Sequence, residues 1–167
     1  DDASVRLVIS VLSETLTVNG VETRIVEERE WTGGELAEVS RNYFALCGQT
    51  SDLYYFGEDV DNYRSGKIVN HEGSWRAGVA GARQGVLLPG SPLLGSHFYQ
   101  EIAPGVALDR AKVSQFVERM KVKAGAFEQV LELHESSDLE PGKSIKFFAP
   151  GVGMIKDDEL ELVEYGM

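Results

Sequence analysis

Cysteine is almost missing from this chain. Cys47 stands alone, so no intrachain disulfide can form and no CxxC zinc site exists. Basic residues are also scarce, 16 against 27 acidic ones, for a formal net charge of -11. That balance excludes the basic footprint that nucleic-acid phosphates require. It argues equally against an anionic membrane surface. No apolar run approaches the length of a membrane span, and no signal-peptide pattern opens the chain. The opening Asp1–Ser10 enters a strand-like run almost at once, which reads as the start of a trimmed or processed product. Catalytic signatures are lacking as well: there is no GxSxG elbow, no HExxH, no P-loop and no GxGxxG.

What is present suits one domain over residues 1–167, large enough to bury a core without metal or disulfide help. Strand signals dominate. Val5, Leu7, Ile9 and Val11 share one face of an extended run, with Val8 and Leu12 opposite. Asn19-Gly20 and Gly33-Gly34 supply turns, and Thr23–Glu30 and Glu35–Leu46 continue an antiparallel meander. Leu53–Phe56 is a short aromatic strand broken by Gly57, and Glu58, Asp59 and Asp61 then form an acidic bend. Lys67–Asn70 is another short strand. The glycine-rich Gly73–Gly95 reads as a long ordered loop over one end of the sheet.

His97–Ile102 returns to strand character. Ala107–Lys123 fits two periods: Val113, Phe116, Val117 and Met120 at helical spacing, or Phe116, Met120 and Val122 on one strand face. Phe127–His134, Ile145–Phe148 and Glu159–Tyr165 are further strands. The consistent class is mostly β and antiparallel, a single curved sheet or incomplete barrel.

The motifs GGELAE (Gly33–Glu38), YYFGEDVDNY (Tyr54–Tyr63), HEGSWRAGVAGA (His71–Ala82), YQEIAPGVALDRAKV (Tyr99–Val113) and FFAPGVGMIKD (Phe147–Asp157) follow one another in order. With this series the chain resembles a family of secreted bacterial β-proteins and lipoproteins that has no established activity. The resemblance implies a curved, incompletely closed antiparallel sheet and strands over Ala107–Lys123. It implies export to the cell envelope or the extracellular space, with an additional strand ahead of Asp1 behind a signal peptide. It implies no reaction. Where that family follows its aromatic pair with Ala-Gln-Asp, this chain has Tyr43-Phe44-Ala45-Leu46-Cys47-Gly48. A ligand or ion held by that polar pair has no counterpart here.

Among candidate chemistries, Glu58, Asp59 and Asp61 are the residue types that hold calcium or another hard cation. Their spacing is not that of an EF-hand, and the plainer account is a solvated acidic turn. His71, His97 and His134 with Glu72 or Glu101 could be read as a mixed metal site. Yet His97 and Glu101 on one strand would stand ~13 Å apart. Glu58 and Glu101 suit acid–base work if the fold joins them. Cys47 has no cationic neighbour in sequence and reads as a structural thiol. Tyr55, Trp75, Phe98 and Tyr99 belong to an aromatic group that can line a concave face for an apolar ligand, or simply fill the core.

Two functions from different classes follow. The first is an exported, non-enzymatic protein holding an apolar or amphipathic ligand, or a protein partner, on its sheet. The second is a divalent-metal-dependent hydrolase using the acidic residues around Glu58.

Overall fold

The computed structural model describes residues 4–139 and 141–166. Glu140, in the turn expected around Pro141-Gly142, lies outside them. The mostly β, antiparallel architecture expected from the sequence is the one found: strands dominate, no helix occurs among the described residues, and neither sheet closes into a barrel. The strands are shared between two sheets, which belong to two compact units. One unit runs to Ser91 and takes in Tyr99–Leu108; the other holds Pro92–Phe98 and the chain from Asp109 on.

The first sheet begins with β1 (Val5–Val18), β2 (Val21–Thr32), β3 (Glu35–Leu46) and β4 (Leu53–Arg64), each antiparallel to the last. Tight turns at Asn19-Gly20 and Gly33-Gly34, all at positive φ, close the first two hairpins as their residue types dictate. Beyond β4 lie β7 (Arg83–Leu88) and β9 (Glu101–Ile102), while β5 (Lys67–Asn70) and β6 (Trp75–Arg76) also pair with β4. The core of this unit gathers Val18, Tyr43, Tyr55, Phe56, Trp75 and Ala77.

The second sheet has the order β14-β13-β12-β11-β10-β8, from β8 (His97–Tyr99), β10 (Asp109–Val122), β11 (Gly125–Ser137), β12 (Lys143–Ala149), β13 (Gly153–Asp157) and β14 (Leu160–Glu161). Val130, Ala149 and Ile155 form its buried cluster, with Val117, Met120, Phe127 and Leu162 packed against them. Ala107–Lys123 is thus a strand over most of its length. Its helical spacing has a local cause. Ser114 is an extra residue in the β10–β11 ladder, since Val113 pairs with Leu133 and Gln115 with Glu132. Such a bulge puts Val113 and Phe116, three apart, on one face, and so imitates a helix period.

Three expectations need correction. Gly57 does not end the strand: β4 continues past it, with a bulge, to Arg64, and the acidic bend is part of that strand. The Gly73–Gly95 loop contains two strands, β6 and β7. At the chain's end the strand is confined to Leu160–Glu161 among the described residues, Leu162 donates to Ile155 O and accepts from the Ala124 N–H, both at 2.9 Å, and Tyr165 rests on the Phe127 ring at 5.7 Å.

Three glycines permit close backbone approach. A Cβ on Gly57 would lie 2.2 Å from the Trp75 carbonyl oxygen, one on Gly85 2.2 Å from that of Gln100, and one on Gly90 2.2 Å from that of Thr50. Gly57 also sits at φ 126°. Gly57→Ala is therefore expected to cost about 3 kcal/mol in urea unfolding, as clash and strain add. Gly66→Ala, also at positive φ but facing open space, should cost only about 1 kcal/mol.

Candidate functional site

The bulge at Gly57 builds the most concentrated polar group in the first unit. Asn42 of β3 pairs with Glu58 of β4, whereas Phe44 pairs with Tyr55, so β4 spends three residues against two. Regular alternation would set Tyr55 and Glu58 on opposite faces; the bulge puts them on the same one. The ladder then continues sideways, with Asn42 opposite Val26 of β2 and Glu58 opposite Trp75 of β6. A single row therefore runs Val26, Asn42, Glu58, Trp75 across four strands, with Tyr55 beside it.

The interior of this group is buried. Tyr55, Trp75, Ser40 and Asn42 are each at most 6% exposed. The Tyr55 hydroxyl donates to Asn42 Oδ1, and the Asn42 amide donates to Val26 O and Ser40 Oγ, both at 3.2 Å. The Tyr55 ring meets the Trp75 indole edge to face at 5.4 Å and Phe44 at 4.7 Å. Burial raises the Tyr55 phenol well above its ordinary range, and the charges of Glu58, Glu101 and Glu28 raise it further. Tyr55 stays protonated at neutral pH and acts there as a hydrogen-bonding group. The charges of Glu58 and Glu101, left unconnected by the sequence, thus both act on one phenol, together with that of Glu28 from β2. No sequence pattern marked Glu28; strand pairing alone places it.

Among the described residues one buried side-chain polar atom is unsatisfied. The Trp75 indole Nε1 is buried without a hydrogen-bond partner, although buried donors are nearly always paired.

The other face of the same strands carries a charge ladder. Arg76 holds Asp59 in a fork, Nε to Oδ1 at 3.1 Å and Nη2 to Oδ2 at 2.5 Å, and the Tyr43 hydroxyl donates to Oδ2 at 2.8 Å. The Arg76 guanidinium also lies 5.3 Å from the Tyr43 ring centroid. Desolvation works against the Asp59 carboxylate, but the Arg76 and Tyr43 hydrogen bonds outweigh it and hold its pKa below the ordinary value. Asp61 meets Arg41 at 3.0 Å and His71 Nδ1 at 2.9 Å, and Arg41 continues to Glu27 at 3.7 Å.

The three carboxylates singled out for calcium therefore do not converge. Glu58 faces Tyr55, while Asp59 and Asp61 face cations on the other side. No group of three His, Cys, Asp or Glu among the described residues is arranged to hold a metal ion. His134 instead pairs with Glu132 at 2.8 Å. His97 and Glu101 fall on different strands, β8 and β9. Of the four aromatic positions, Tyr55 and Trp75 join in one buried group. Tyr99 is 44% exposed and Phe98 belongs to the second unit.

Cys47 is a partly buried free thiol. It opens the turn Cys47–Asp52, where the Thr50 hydroxyl and the backbone groups of Thr50 and Gln49 hydrogen-bond the sulfur and lower its pKa. Asp52 closes the turn, bonded to Thr50 Oγ1 at 2.7 Å and to the Gly90 N–H at 2.8 Å.

Comparisons with protein-family models, with curated proteins and with solved structures returned no match to this chain. No helix among the described residues is long and apolar enough to cross a membrane.

Two titrations test this geometry. Tyr43 is pushed up to about 12 from 10.0, by burial first and then by its bond to Asp59 and that carboxylate's charge. A pKa raised in the folded state contributes stability below the unfolded value that is lost as pH climbs through the folded one. Tyrosinate absorbance should therefore include a phase near pH 12 that Tyr43→Phe removes, and this stabilisation should fade from pH 10 upward. Thr50→Val should raise the Cys47 thiol pKa and slow its alkylation by iodoacetamide at neutral pH by about threefold.

Proposed function

We propose that the chain is a non-enzymatic binding protein of the cell envelope or extracellular space, which holds an amphipathic ligand against the polar row of its first sheet. One observation carries the reading: a buried indole N–H without an acceptor, on a tryptophan paired with Glu58 and packed on Tyr55. A ligand hydroxyl or carbonyl oxygen accepts from the Trp75 indole N–H, beside a phenol on which the charges of Glu58, Glu101 and Glu28 act. The neighbouring Phe44, Tyr55 and Trp75 rings favour a ligand with an apolar portion beside that polar head. A purely apolar ligand fits less well, because it would leave the indole N–H unanswered and desolvate the carboxylates. Export follows the family resemblance of the motif series. The non-enzymatic reading is supported by the chemistry of both faces: in the row Tyr55 is held as a neutral phenol, and on the opposite face Asp59 and Asp61 are occupied by arginines.

Native mass spectrometry of protein purified without refolding, set beside the same sample denatured, tests this. The expected result is a mass excess on the order of a few hundred daltons that disappears on denaturation. Trp75→Phe keeps an aromatic ring against Tyr55 and removes only the indole donor. It should weaken retention about tenfold, the worth of one buried hydrogen bond. A wild-type chain of bare polypeptide mass contradicts the proposal, as does full retention by Trp75→Phe.

A further inference from the structure

The second sheet tapers toward β13 and β14. β13 pairs with β12 at four positions, and a register slip between Phe147 and Phe148 divides them. β14 then adds two residues beyond β13. At this junction charged side chains from three adjacent strands meet: Glu135 of β11, Lys146 of β12 and Asp157 of β13. Lys146 stands directly opposite Asp157 in the ladder and, on its other side, opposite Leu133. Glu135, next along the Leu133 face of β11, reaches it diagonally.

The lysine is shared unequally. Its Nζ lies 2.8 Å from Glu135 Oε2 but 3.8 Å from Asp157 Oδ2, beyond hydrogen-bond reach. The side chains of Lys146, Glu135 and Asp157 are 28%, 12% and 25% exposed, so water screens them only in part. The other groups facing Asp157 among the described residues bring no cation. Its partner on β14 is Leu160. Asp158, next in the turn, accepts from the Ile145 N–H at 2.8 Å and adds a like charge. Opposite Glu135 stand Ala111 of β10 and Ser144 of β12, both uncharged. Partial burial pushes the Asp157 carboxyl above its ordinary value. Lys146 opposes that rise, while Glu135 and Asp158 add to it.

We propose that Glu135, Lys146 and Asp157 form a proton-operated latch, which holds β13 and β14 to the sheet more firmly in acid than at neutral pH. A proton on Asp157 removes the charge that the lysine does not reach, and Glu135 and Lys146 remain as a complete pair. When the proton leaves, a partly buried carboxylate stands against Glu135 and Asp158 while the lysine is turned to its rival. A carboxyl that binds its proton more tightly in the folded chain adds stability that is complete below its ordinary value of 3.8. That stability is lost as pH rises through the folded value. Asp59 of the first sheet, held below its ordinary value, works in the opposite sense. The latch is therefore read as a difference between wild type and a variant.

Carboxyl-carbon NMR titration of the full chain and urea unfolding across a pH series test the latch. The Asp157 midpoint should lie above 3.8, and Glu135→Gln, which frees Lys146 to bond Asp157, should lower it. Acidification from about pH 7 to about pH 4 should favour wild type over Asp157→Asn, by at least about threefold in the ratio of their unfolding constants. Amide protection over Gly153–Asp157 should rise with acid more in wild type than in that variant. A midpoint at or below 3.8 overturns the proposal, as does one that Glu135→Gln leaves in place. A ratio of unfolding constants that does not change with pH overturns it equally. If Asp157→Asn fails to fold, the two carboxyl titrations decide alone.

Discussion

The first unit depends on one close approach, the backbone of Trp75 lying directly on Gly57. Only glycine leaves room there, with the Trp75 carbonyl oxygen 2.2 Å from where a Cβ would stand, and only glycine adopts φ 126° without strain. The contact allows β6 to pair with the middle of β4. It also fixes the bulge that turns Tyr55 onto the face of Glu58. The buried row across Asn42, Glu58 and Trp75 exists because a glycine sits where the chain would otherwise alternate. Lengthening that side chain by one methyl group disturbs register, packing and polar pairing together.

The bulge also divides the chemistry of β4 between two faces. On one, the Tyr55 phenol is buried and raised by the charges of nearby glutamates, and the Trp75 donor lacks an acceptor. On the other, Asp59 and Asp61 are matched by Arg76 and Arg41, so negative charge is locally compensated. A net charge of -11 thus coexists with a well-neutralised ladder at the centre of the sheet. Arg6, over the Trp31 ring at 4.9 Å, stands apart from that ladder on the edge strand.

The sequence was most legible where residue type and backbone geometry coincide. Asn19-Gly20 and Gly33-Gly34 announced their hairpins, and Glu35–Leu46 and Lys67–Asn70 were read to the residue. It misled wherever a bulge interrupted the period of two. Gly57 looked like a strand end, Ser114 lent β10 a helical spacing, and Gly85 of β7 looked like loop. At the two glycines the cause is a neighbouring backbone distant in sequence, which no local pattern encodes. The site was half legible for the same reason. Tyr55, Trp75 and Glu58 stood out by type, and Glu101 could be named but not placed. Glu28 and Asn42 gained their meaning only from strand register.

The position of Tyr55 relative to the bulge is the claim on which the rest turns, and nuclear Overhauser contacts measure it directly. Tyr55 ring protons should show cross-peaks to the Asn42 side-chain amide and the Trp75 indole protons, and the indole N–H should resonate as a donor without an acceptor. Tyr55 contacts to Tyr43 and Asp59 in place of Asn42 would mean that β4 alternates without a bulge, and would contradict the assignment of the site.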